Sequence, residues 1–270
     1  MKYYHTVKKF NRRAILSGKV IELYEYEKPV VIGTSNKRVG RAGFSSITDE
    51  IKMENRKKTA SRARRLVRNT VNANPHLDKF LTLTFAKNLT DLTKAHYEFD
   101  KFIKRLKTRC KGFQYIEVVE FQKRGAVHFH ILCNLPYINV NELAQIWGNG
   151  YIKINRIDNV DNVGAYITKY MTKDNVDERL AGRKCYSMSK NLNRPKEYTS
   201  ERDIDELMEN TDSVKRIFST EFESEYYGIV RYTQIICMEK PTPPNRFRKW
   251  FNRFKAHLTL MPDYIPCPFD

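Results

Sequence analysis

"FQYIEVVEFQKRGAVHFHILCNLP", residues 113–136, decides how the chain folds. Two β-rich runs flank Lys123, Arg124 and Gly125, a turn in which the glycine can take positive φ. Side chains alternate along a strand, so residues two apart share a face about 6.6 Å apart at the backbone. His128 and His130 therefore share a face, and Phe129 turns to the other. A turn centred on Arg124 pairs residue 120 with 128 and residue 118 with 130. Glu120 then stands beside His128, about 5 Å away at Cβ. A register slip of one residue would put Glu117 there instead.

Two neutral imidazoles and a carboxylate on one face can bind a divalent cation and leave positions open for water and a substrate oxygen. His128, His130 and Glu120 are the candidate ligands. The competing reading is a pair of ordinary core or surface histidines.

Around this hairpin the order is β-α-β-β-α-β-α. "KFLTLTFA" (79–86) alternates as a strand. "DLTKAHYEFDKFIKRLKTRC" (91–110) starts at Asp91 and places Leu92, Ala95, Phe99, Phe102, Ile103 and Leu106 at helical spacing. After Pro136, "NVNELAQIWG" is a helix closed by Gly148, "YIKINRI" a strand and "NVGAYITKYMTKD" a helix. The first six elements have the split β-α-β order of a ferredoxin-like α+β domain. Its helices cross one face of an antiparallel sheet and leave the other free.

The last helix repeats a pattern, Tyr166-Ile-Thr-Lys169 then Tyr170-Met-Thr-Lys173. At spacings of three and four, Tyr166, Lys169, Tyr170 and Lys173 form one stripe. Ile167 and Met171 form another that can pack on the sheet. The lysines are expected to favour phenolate. A tyrosine oxygen attacking phosphorus would exchange one ester for another, so a DNA break made this way can be resealed without ATP. The bland reading is two amphipathic tyrosines beside solvated lysines.

Charge points to the same partner. The 270 residues carry 49 Lys plus Arg against 31 Asp plus Glu, a formal net charge of +18, which suits a polyanion such as nucleic acid. A basic protein without catalysis has the same signature. Lys52, Arg56, Lys57, Lys58, Arg62, Arg64, Arg65 and Arg68 crowd one predicted helix in which Glu54 is the only acid over that stretch. They, with Lys123 and Arg124 at the turn, are the expected DNA contacts. Ile47, Ile51, Leu66, Val67 and Val71 give that helix a thin apolar stripe, and Thr48 is its candidate N-cap. "VIELYEY" and "PVVIGT" read as a strand pair broken at Glu27 and Lys28. "DIDELMENTDSVKRIF" reads as helix, "YYGIVRYTQIICME" as strand, and "RFRKWFNRFKAHLTL" as a basic amphipathic helix whose Arg246–Lys255 stretch is expected to hold phosphates.

Five cysteines are scattered without metal or disulfide spacing, which fits a reducing interior. No eighteen-residue apolar run or signal-peptide core is present, so no membrane span is expected and the cytoplasm of a bacterial host is the expected location.

"LTLTF" (81–85), "HFH" (128–130) and "YITKY" (166–170), in this order and spacing, resemble the HUH endonucleases, where U is a hydrophobic residue. The doubled tyrosine motif resembles the rolling-circle replication initiators of phages and plasmids. Upstream, "ENRKKTASRAR" (54–64) is similar to initiators from Gram-positive bacteria. The resemblance implies an enzyme that nicks one strand at an origin, single-stranded or supercoiled, and stays on the 5′ phosphate through tyrosine. It implies Mg²⁺ or Mn²⁺ on His128, His130 and Glu120. Tyr166 is the implied first nucleophile and Tyr170 the second, with Lys169 near the scissile phosphate. Residues 76–175 would form the HUH core, 1–75 a basic DNA-contacting segment and 176–270 an extension packed on the core. No G-x-x-x-x-G-K-[ST] occurs, so strand separation is left to a host helicase or supercoiling, with a host polymerase following. A transposase or relaxase would share the chemistry. Relaxases, however, usually place the tyrosine ahead of the histidines. A non-catalytic single-strand binder would stack bases on sheet aromatics, with Tyr115, Phe121 and Phe129 as candidates.

Overall fold

A computed structural model describes residues 7–33, 49–157, 162–171, 178–180, 183–211 and 213–244. The first elements are strands β1 (Lys8–Ser17) and β2 (Val20–Ile32), joined through Gly18 at φ 62°. Thus the predicted break at Glu27 and Lys28 is absent. Residues 26–29 lie opposite Asn11 alone, so Pro29, which lacks an N–H, falls in a bulge and the strand continues. The partner is β1, unread in the sequence because its basic residues and this bulge obscure the alternation.

Helix α1 (Asp49–Asn72) leads into β3 (Lys79–Thr84), α2 (Leu92–Arg109), β4 (Tyr115–Phe121), β5 (Val127–Cys133), α3 (Val140–Trp147) and β6 (Ile152–Arg156). Helix ends follow their chemistry. Asp91 accepts from the Thr93 and Lys94 amides, and Gly148 closes α3 at φ 69°. Next come the short helix α4 (Val163–Ile167) and a 3-10 turn at Thr168–Tyr170. The strands form an antiparallel sheet in the order β6-β3-β5-β4, the ferredoxin-like arrangement, extended at the β4 edge by β7 (Tyr186–Met188).

Parity sorts this sheet into two faces. Leu81, Leu83, Val119, Val127, Phe129 and Ile131 pack with Phe99, Phe102 and Leu106 of α2 and Leu143 and Trp147 of α3. The opposite face is not free, as the sequence had suggested. Phe80, Ile116, Val118 and Leu132 are covered by Val67 and Val71 of α1 and by Ile167 and Met171. The covering helix comes from the segment before the core, so core periodicity alone does not reveal it.

Segments from both ends of the described chain build a second antiparallel sheet, in the order β8-β1-β2-β10-β9. Its remaining strands are β8 (Lys196–Tyr198), β9 (Val214–Ser224) and β10 (Gly228–Cys237), with α5 (Glu201–Glu209) packed on one face. Val214 to Phe218, read as helix, is strand. Ile47, Thr48 and the 246–260 segment lie outside the described residues. Cys110, Cys133, Cys185 and Cys237 are free thiols. Among the described residues no helix is long and apolar enough to cross a membrane.

Candidate active site

The hairpin has the register read from its parity, with Glu120 opposite His128 and Val118 opposite His130. Gly125 takes φ 85° in the turn. One donor atom each from Glu120, His128 and His130 lie within 4.8 Å of one another. The His130 Nε2 is 2.6 Å from a Glu120 carboxylate oxygen. On its other side, Nδ1 lies 3.3 Å from the Thr82 hydroxyl of β3. A hydroxyl donates or accepts, so Thr82 supports the ring in either tautomer. Glu117 faces away, into the α2 side, where it accepts from the Ser187 hydroxyl at 2.7 Å.

Electrostatics favour ligation. Burial pushes the pKa of His128 down, and the neighbouring His130 adds to this. Burial also lowers His130, against the opposing pull of Glu120. Both rings are then neutral near pH 7, with lone pairs available for a cation. His128 Nε2 is buried without a hydrogen-bond partner. An orphaned imidazole nitrogen beside a carboxylate and a second imidazole fits a divalent metal, since ligation would satisfy that atom.

The tyrosine segment lies directly over this group. Tyr170 stacks on His130 with ring centroids 3.8 Å apart. Phe80 forms the floor, with its centroid 5.4 Å from both Tyr166 and Tyr170. The segment is shorter than the predicted helix. Its Thr168 hydroxyl donates to the Gly164 carbonyl, and the turn tightens before Met171 leaves it at ψ 62°. Ile167 and Met171 are buried against the sheet, and both tyrosines are half-buried. The exposed Lys169 places its Nζ 5.6 Å from the Tyr166 ring centre. Lys173 lies outside the described residues.

The expected help toward phenolate does not reach Tyr170. Its pKa is pushed up to about 12, first by burial, then by its hydrogen bond with Tyr166 and the negative charge of Glu120. At neutral pH it is a phenol.

Helix α1 holds this segment in place. Gly164 sits so close to it that a Cβ there would lie 2.2 Å from the Arg68 carbonyl oxygen. Asn72 accepts from the Gly164 amide at 2.9 Å, and Arg64 donates to the Met171 carbonyl at 3.1 Å. The basic residues of α1 thus divide by partner. Arg68 is paired with buried Glu22 at 2.5 Å, Lys52 with Asp49 at 2.9 Å and Lys58 with Glu54 at 2.6 Å. Arg56 is half-buried, whereas Lys57, Arg62 and Arg65 are exposed, as are Lys123 and Arg124 at the hairpin turn.

Phe80 and Thr82 were not picked out from the sequence. Their signal was parity. In "KFLTLT" they alternate with Leu81 and Leu83, but their meaning depends on β3 pairing with β5, which places Thr82 opposite His130. Tyr115 and Phe129, candidates for base stacking, are buried in the α2-side core. Phe121 is half-buried beneath the Arg179 guanidinium, 3.9 Å from its ring centre.

Residues 78–175, just over a third of the chain, match the family model for replication-associated protein ORF2. That match runs from the start of β3 past the tyrosines, includes the whole constellation, and is consistent with a replication initiator. No curated protein and no solved structure matches the chain.

Proposed function

We propose that this protein initiates DNA replication by nicking one strand of an origin through tyrosine transesterification, in the manner of a two-tyrosine HUH endonuclease. The observation that carries the reading is the stacking of Tyr170 on His130, which brings the phenols and the Glu120–His128–His130 group together. Mg²⁺ or Mn²⁺ bound by those three residues would supply Lewis acidity toward a phosphate oxygen.

The protein's own groups do the rest. Tyr166 is the first nucleophile: its oxygen forms a bond to phosphorus as the bond to the 3′ oxygen breaks. The phenol proton leaves to solvent, the departing oxygen takes one up, and the 5′ phosphate stays on the tyrosine. Lys169, beside Tyr166, places positive charge near the phosphate under attack. Tyr170, kept neutral until needed, performs the second transfer. Phe80 and the Thr82–His130 contact hold rings and ligands in position. Host helicase and polymerase would extend from the freed 3′ end.

The test is incubation with single-stranded oligonucleotides tiled across the protein's own replicon, with Mn²⁺ or with EDTA. An SDS-stable adduct is expected with Mn²⁺ and not with EDTA. Tyr166→Phe should reduce it, and the Tyr166→Phe/Tyr170→Phe double change should remove it. An adduct that survives the double change or EDTA overturns the reading.

A further inference from the structure

The second sheet has one face under α5 and another that looks toward α1. On the latter, Phe218, Tyr232, Tyr24, Tyr26 and Tyr227 form an unbroken series of ring contacts. Successive centroids are 6.5, 5.0, 6.4 and 5.4 Å apart. Phe222 lies on the same face by register, opposite Val230 and next but one to Phe218. Phe218 and Phe222 are 55% and 49% exposed, too much for core residues.

Charge on this face is one-sided. The Arg13 guanidinium stands 4.7 Å over the Tyr24 ring, and its Nε is buried without a hydrogen-bond partner. Arg65 of α1 is near enough for its charge to act on both Tyr24 and Tyr26. Glu22, the carboxylate of β2 on this face, is occupied by Arg68, Asn69 and the Tyr232 hydroxyl. The acids of β9, Glu221 and Glu223, have the opposite parity. Glu225 stands at the rim near Lys58.

We propose that this face, bounded by the arginines of α1, is a second nucleic-acid site that binds a single DNA strand by stacking bases on its aromatic rings. Exposed rings bordered by unneutralised guanidinium groups are what a single strand needs: a π-surface for any base and positive charge for its phosphates. A protein partner would leave that charge without a counterpart. The inference rests on the proposed function only in taking the polyanionic partner to be DNA.

The test uses the full chain carrying Tyr166→Phe and Tyr170→Phe, in EDTA, so that no cleavage can occur. Binding of a labelled oligo-dT and of an abasic strand of equal length is measured by fluorescence anisotropy across salt concentrations. Phe218→Ala and Phe222→Ala should each weaken oligo-dT binding by about tenfold, and the abasic strand much less. Arg65→Ala should weaken both and lower the slope of log affinity against log salt by about 0.7. Unchanged oligo-dT binding by both phenylalanine variants overturns the proposal. So does an equal loss for both strands, or a change of sedimentation with unchanged affinity, which would mark the face as an interface between copies. Failure of the nicking assay leaves this measurement intact, and the converse also holds.

Discussion

Glu117 offers a measurement of the hairpin register that does not depend on catalysis. Its side chain is wholly buried, one oxygen accepts from Ser187, and the other has no hydrogen-bond partner. Burial raises its pKa from 4.5 to about 8, against the lowering effect of the Ser187 hydrogen bonds. Below pH 4.5 the carboxyl is protonated in folded and unfolded chains alike, and its contribution does not change with pH. Between 4.5 and 8 the unfolded chain releases the proton and the folded chain retains it. Stability therefore falls by about 1.4 kcal/mol per pH unit over this window, about 5 kcal/mol in all. Above pH 8 both states are ionised and the loss is complete.

Glu117→Gln removes the titration with little change in shape. Urea denaturation followed by circular dichroism, from pH 4.5 to 8.5, should show the variant gaining about 5 kcal/mol on the parent. Taking the difference cancels the other titrating groups. A difference that stays constant across this range would refute the buried placement. The same variant separates the two carboxylates. Glu117→Gln should retain Mn²⁺ binding by calorimetry, and Glu120→Gln should lose it. The reverse outcome would mean that the hairpin is shifted by one residue.

Thr82→Val removes the hydroxyl behind His130 and should weaken Mn²⁺ binding by about 10- to 100-fold, read by the same calorimetry. Arg68→Met leaves the carboxylate of Glu22 buried without its charged partner. It should cost about 3 kcal/mol in urea denaturation, largely recovered by adding Glu22→Gln. Gly164→Val drives a side chain against the Arg68 carbonyl and should destabilise the fold by about 2 kcal/mol. It should also cut nicking by tenfold or more, since the tyrosines lean away from the ligands when α4 lifts from α1.

What the sequence disclosed followed from local periodicity. A period of two with a glycine turn fixed which residues of 115–133 face together, and a helical period placed Phe99, Phe102 and Leu106 in the core. What it withheld depends on contacts between distant segments. Thr82 reaches His130 only through a pairing of non-consecutive strands. The face expected to be open is covered by a helix that precedes the core. Tyr24 meets Tyr232 through a strand pairing across most of the chain. The shortened tyrosine helix has a different cause. Its eight-residue repeat reads as helical, but the Thr168 side-chain bond to Gly164 and the departure of Met171 replace the second turn.

Helix α1 links these observations because its two stripes do different work. Ala63, Val67 and Val71 pack against the core sheet, and Arg64 bonds the end of the tyrosine segment. Arg68 and Asn69 bond Glu22 of the second sheet, and the Gly18 turn approaches the Asn72 carbonyl so closely that a Cβ there would lie 2.1 Å from it. The helix is thus fixed to both sheets near its C-terminal end, while residues 49–59 are largely exposed. A strand stacked on the second sheet and held by Arg65 would lie against the same helix that positions Tyr166 and Tyr170. Binding there and cutting at the tyrosines would then share one rigid element, so a change in Arg68 or Gly164 should disturb both, whereas a change in Phe218 should disturb binding alone.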